Sequence, residues 1–309
     1  MKQKKESLPL LIAEDLDQEK SRQIVSERVR HFSAFLAEKL KVGLDVVHIE
    51  NSMRWNLPSH KVLSKKYLTQ KAQQLKKLAK SFGVKVQLKY LLGDPLMNLL
   101  IMSTKTSSYQ MMAFATHARK GFKRLALGSI AEEVIRHAKV PVLVCGPKTK
   151  KFDENKFKTK KLKILIATDL EKSSLRAEKF AQHLAKKLDA ELVLLYCLYE
   201  GFHPILQTAF SVPNRSKQMD QFYSQEVKEV EKRLAAKKQK YENAGFQVTT
   251  KLDRYSLVAS SAILTEVEKS ESDLIVMGTH GRNLLTGALL GSNARRIVLE
   301  STVPTITVR

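Results

Sequence analysis

The stretch Gly278-Thr279-His280-Gly281, followed after nine residues by Gly291-Ser292-Asn293-Ala294-Arg295-Arg296, has the make-up of an anion cradle. A loop that leaves a strand and enters a helix can point several backbone N–H groups at one phosphate. Glycines let the backbone approach that phosphate closely and take positive φ at little cost. Ser292, at the expected helix start, can cap the helix or donate its hydroxyl to a phosphate oxygen. His280 and Arg282 lie inside the loop, and Arg282 can neutralise phosphate charge through two parallel hydrogen bonds. On residue types alone, a plain turn between strand and helix is an equal reading, with Arg282 simply exposed.

The elements around this loop occur twice. Leu8-Pro9-Leu10-Leu11-Ile12-Ala13-Glu14-Asp15-Leu16 and Lys163-Ile164-Leu165-Ile166-Ala167-Thr168-Asp169-Leu170 are both apolar runs that close on an acid. Unbroken apolar runs of this length suit strands buried on two faces. A helical stripe follows each, Val25, Val29, Phe32, Leu36 and Leu40 in one half and Ala177, Ala181, Leu184 and Leu188 in the other. Strands at 46–49 and 192–195 come next, then long lysine- and glutamate-rich helices near 64–82 and 221–244, the second closed by Gly245. Strands at 84–91 and 246–252, helices near 95–106 and 257–270, and strands at 111–115 and 274–277 continue the parallel. The final pieces align without a gap: Ala115-Thr116-His117-Ala118-Arg119 with Gly278-Thr279-His280-Gly281-Arg282, and Val140-Pro141-Val142-Leu143-Val144 with Val303-Pro304-Thr305-Ile306-Thr307. The halves are duplicates.

Strand–helix alternation predicts an α/β protein of two tandem, doubly wound parallel-sheet domains, with helices on both faces and right-handed crossovers. The domains fall at 1–147 and 163–309, joined by 148–162, whose many lysines and few apolar residues read as a basic, solvated linker. Such folds bind ligands at the carboxyl ends of strands, where strand order reverses. The segment from about Tyr199 to Asp220 has no counterpart in the first half and reads as a mobile insertion or a flap over the second-half site.

The run Asp273-Leu274-Ile275-Val276-Met277-Gly278-Thr279-His280-Gly281, with the spacing G-x2-G-x9-G-S, resembles the ATP-binding signature of universal stress proteins. Val303-Pro304-Thr305-Ile306-Thr307-Val308 resembles that family's last strand. The resemblance spans nearly the whole chain outside linker and tip, and implies a Rossmann-like fold of the adenine nucleotide alpha hydrolase type. It implies that Ala167, Thr168 and Asp169 form the adenosine-contacting turn and that Cys197 lines the adenine pocket. Met277 and Gly278 would contact base and ribose, and Gly281, Gly291, Ser292 and Asn293 the phosphates, with His280 and Arg282 beside them. The implied ligand is ATP, or AMP or ADP, with Mg bound through the phosphates. Also implied is pairing of the two domains through their last strands, residues 142–145 with 305–308, as a pseudo-dimer; a further homodimer is compatible with it.

The first half departs from the signature, with Ala115 and Ala118 at the first two glycine positions. A Cβ forced into left-handed geometry costs about 1–2 kcal/mol, so two such sites predict an affinity drop of about tenfold to a thousandfold. Arg119, Lys120, Lys123 and Arg124 offset part of that for an anion. ATP binding is expected to be weak or absent there.

Composition bounds the alternatives. A length of 309 residues with 43% hydrophobic content supplies two ordinary cores, and no window reaches a membrane span. The basic tip runs into Glu14-Asp15 without a signal-type apolar stretch, so the expectation is a cytoplasmic protein. The net charge of +23 favours polyanions, which keeps open a basic interaction module for nucleic acid or anionic lipid; no aromatic-interleaved basic strip supports it. A slow ATPase or phosphotransferase is the other alternative, against which stand the missing Walker lysine and metal-holding carboxylate pair; no catalytic residue is assigned. No histidine or cysteine spacing reads as a metal site, and Cys145 and Cys197 sit in apolar strand-like runs as buried thiols.

Overall fold

The computed structural model describes residues 8–14, 20–51, 58–116, 127–198, 217–279 and 290–309. The first half supplies β1 (Leu10–Ala13), α1 (Lys20–Leu40), β2 (Leu44–Glu50), α2 (Pro58–Phe82), β3 (Val86–Leu92), α3 (Pro95–Thr104), β4 (Met111–Ala115), α4 (Ser129–His137) and β5 (Val142–Cys145). A short α5 (Glu154–Thr159) leads to β6 (Lys163–Ala167), α6 (Leu175–Leu188), β7 (Glu191–Cys197), α7 (Lys217–Asn243), β8 (Val248–Asp253), α8 (Ala259–Ser270), β9 (Leu274–Gly278), α9 (Ser292–Glu300) and β10 (Thr305–Val308). The predicted order holds apart from α5, a helix not expected in the 148–162 segment, with ends displaced by a few residues, most at the starts of α2 and α7.

Among the described residues these strands form one sheet, in the order β3-β2-β1-β4-β5-β10-β9-β6-β7-β8. Neighbours run parallel within each half. Only β5 and β10 are antiparallel, with Val144 opposite Thr305 and Val142 opposite Thr307. Central strands are buried on both faces, as their unbroken apolar runs require, whereas the edge strands β3 and β8 are partly exposed along their length. One apolar layer packs under α1, α2, α6 and α7. The other packs under α3, α4, α8 and α9.

Helix ends show how local geometry is enforced. Gly245 takes φ +85 after α7, as the sequence suggests, and Gly83 does the same after α2. Lys41, Asp189 and Glu271 take the left-handed conformation without glycine after α1, α6 and α8. Across the β5–β10 seam, Gly146 lies against α9 so closely that an added Cβ would sit 2.0 Å from the Val298 carbonyl oxygen. Glu132 of α4 and Arg295 of α9 form an ion pair over the same seam.

The segment 148–162 is not simply solvated. Lys151, Lys158, Lys160 and Lys161 are exposed, but Phe152 and Leu162 are buried. Phe152 stacks on Phe157 at 4.7 Å and meets Phe32 edge-on at 5.0 Å, while Phe157 meets Phe35 at 5.1 Å. Lys156 pairs with the buried Asp273 at 2.5 Å. Apolar residues five apart in a lysine-rich stretch escape any windowed hydropathy, yet here they seat the connection on both halves. The tip 1–7 and the greater part of the 199–220 insertion lie outside the described residues.

Candidate functional site

In each half, the carboxyl ends of the first and fourth strands mark the point where strand order reverses. In the second half Ala167, last in β6, stands opposite Met277 of β9, and Gly278 follows it. Cys197 ends β7 on the other side of β6, with its thiol 3.6 Å from the Ser256 carbonyl oxygen. Beyond the loop, α9 starts at Gly291, which has φ −55 and ψ 141 and gives no side-chain cap. Ser292 is exposed at the first turn. Helix amides without a side-chain cap and an exposed hydroxyl suit an anionic phosphate. His280, Gly281 and Arg282 lie outside the described residues.

Two sequence-based expectations change. Gly291 does not use positive φ, so backbone freedom is not what this position requires. Ala115 is likewise an extended residue, paired with Cys145 at the end of β4, and its methyl carries no left-handed strain. Ala118, Arg119, Lys120, Lys123 and Arg124 lie outside the described residues. Asn293 lends its side chain to a neighbouring helix: its Oδ1 accepts the Ser260 N–H at 3.0 Å, capping α8, whose own N-cap residue Val258 offers nothing. Arg296 reinforces that contact through Ser261 at 2.9 Å.

The turn after β6 is fixed with unusual thoroughness. Asp169 accepts the Glu171 N–H at 2.9 Å and the Ser173 hydroxyl. The next residue, Leu170, is left-handed at φ 59, which for a side chain of this size costs about 1–2 kcal/mol. The Thr168 hydroxyl accepts the Leu170 N–H at 2.9 Å and donates to Glu178 at 2.6 Å, so it faces the helices rather than the crevice. Glu178, only 2% exposed, also accepts from Lys237 at 2.5 and 2.6 Å, Tyr241 at 2.7 Å and Ser174 at 3.1 Å. Burial pushes its carboxyl up, but the hydrogen bonds from Lys237, Thr168 and Tyr241 outweigh that and hold it below the ordinary carboxylate value. The Tyr241 phenol is pushed up by burial and by Glu178. Arg233 completes the frame, donating to the Leu170 carbonyl at 2.6 Å and to Glu171 at 3.0 Å. Sequence reasoning passed over this cluster; its one signal was an acid, Glu178, embedded in the Ala177–Ala181–Leu184 stripe.

The first half builds its counterpart from different residues. Glu14 takes the place of Thr168: their N–H groups bond Val47 and Leu195, equivalent residues of β2 and β7. Arg30 takes the place of Glu178, each eleven residues before the left-handed end of its helix, Lys41 or Asp189. Glu14 is buried and paired with Arg30 and, at 2.6 Å, with Lys71. His48 places one ring nitrogen 2.9 Å from the Glu14 carbonyl oxygen and the other 3.3 Å from Glu50.

Comparison with known proteins closes the assignment of family. The universal stress protein family matches residues 20–146 and 162–309. A universal stress protein of Methanocaldococcus jannaschii is 32% identical over 147 residues, 48% of this chain and 81% of that protein. One from Mycolicibacterium smegmatis is 25% identical over 206 residues, 66% of this chain and 63% of its own. In fold, a universal stress protein from Archaeoglobus fulgidus superposes with a TM-score of 0.66 at 19% identity, covering 98% of this chain and 97% of that one. With a match in each half of a duplicated parallel-sheet fold, the chain belongs to the universal stress protein family as a tandem member.

Proposed function

We propose that the C-terminal half binds an adenine nucleotide, ATP or the related ADP or AMP, and that its occupancy biases the chain's shape or assembly in a stress response. The observation that carries this reading is the exposed Ser292 at a helix start with no side-chain cap, beyond the strand that adjoins the braced Asp169 turn. The residues suit the ligand by type: amides and a hydroxyl for phosphate, and the carboxylate Asp169 with Cys197 and Met277 for the nucleoside. Magnesium would arrive with the phosphates; among the described residues no three His, Cys, Asp or Glu are grouped to hold a metal ion. The first half, with the carboxylate of Glu14 where the second has Thr168, is proposed to bind ATP weakly or not at all. The β5–β10 pairing supports a pseudo-dimer within one chain. No helix of the described residues is long and apolar enough to cross a membrane.

Calorimetric titration of the full chain with ATP tests this. The expected result is one nucleotide per chain, lost in Gly291→Val, whose branched side chain would occupy the phosphate approach. Two nucleotides per chain, none, or unchanged affinity in Gly291→Val would each overturn the reading.

A further inference from the structure

We propose that α7 is the positioning element of the nucleotide site, with Arg233 and Glu178 acting through the β6–α6 turn rather than on the ligand; this rests on the nucleotide reading above. A buried leucine held left-handed directly after Asp169 does not keep that conformation by propensity, so its neighbours must impose it. They do so from both sides of the peptide. The Leu170 N–H is taken by Thr168, and the Leu170 carbonyl by Arg233 of α7. Glu178 orients the first of these contacts. An ionised carboxylate only accepts, so the single hydroxyl proton of Thr168 points to it and a lone pair is left for the Leu170 N–H.

Glu178 is kept ionised and in place by Lys237 and Tyr241, so Arg233, Lys237 and Tyr241, each four residues apart, give one stripe of α7 to this task. The geometry is particular to the second half. Lys71 holds the position of Arg233, twelve residues before Gly83 as Arg233 is before Gly245, yet it pairs with Glu14 instead. An axial shift of α7 therefore reaches Leu170, next to Asp169, through two separate contacts, one from Arg233 and one through Glu178 and Thr168.

The test uses the full chain with Arg233→Met, Arg233→Lys and Glu178→Gln. Each is measured by ATP calorimetry, by amide exchange in the 169–175 turn and by thermal midpoint. Removing a hydrogen bond from a charged donor is expected to weaken ATP binding roughly tenfold in Arg233→Met, with faster exchange in the turn and the chain still folded. Arg233→Lys should recover part of both. Unchanged exchange in the turn in both Arg233→Met and Glu178→Gln would overturn the proposal, as would affinity that falls only with the folded fraction. Wild-type protein that binds no ATP would instead overturn the nucleotide reading, with the exchange data still deciding whether α7 holds the turn.

Discussion

The two halves share strand order, helix positions and helix ends, but they invert the charge at one buried point. The first half puts an acid on the strand, Glu14, and a base on the helix, Arg30; the second puts a neutral hydroxyl on the strand, Thr168, and the acid on the helix, Glu178. The consequence is electrostatic. Glu14 is a buried acid neutralised by Arg30 and Lys71, whereas Thr168 is a neutral hydroxyl and the buried acid of the second half lies on the helix among Lys237 and Tyr241. A duplicated fold can thus keep its packing, and the same uncapped Gly-Ser helix start at Gly128-Ser129 and Gly291-Ser292, while changing the charges buried beside its first strand.

The comparison breaks most visibly by removing its acids. Glu14→Leu strands Arg30 and Lys71 in the core and is expected to cost about 3–5 kcal/mol in denaturant unfolding. Thr168→Val, which loses only hydroxyl contacts, should cost about 1–3 kcal/mol. Equal costs would mean the two clusters are not alternative solutions to one problem. At the seam, Gly146→Ala drives a methyl into the backbone of α9 and should lower stability by about 1–3 kcal/mol; a neutral result would show that the halves part easily.

A titration sharpens the contrast. Glu178 is held below its ordinary value of 4.5, so its stabilising contribution is present above that value and is lost as pH falls through the lower folded value. The thermal midpoints of wild type and Glu178→Gln should therefore converge as pH is lowered from neutral to strongly acid, and a gap that stays constant would contradict the assignment. The smallest effect concerns Glu132 and Arg295, equivalent residues that face each other with opposite charge. Glu132→Arg should cost up to about 1 kcal/mol, and Glu132→Arg with Arg295→Glu should restore it.

The sequence alone was sufficient for the repeat, the order of elements and the helix start at Gly291-Ser292, because apolar periodicity and turn residues act locally. It misjudged what depends on long-range contact. Phe152, Phe157 and Leu162 look stranded among lysines until three aromatic side chains from α1 and α2 close over them. Asn293 reads only as part of the phosphate segment, and nothing in the sequence shows that its Oδ1 also accepts the Ser260 N–H at the start of α8. Glu178 is one more helix acid until α7, some sixty residues on in the chain, supplies the cation that makes its burial tolerable. Ionic and hydrogen-bonding partners are chosen by distance in space, and only the tertiary structure supplies that distance.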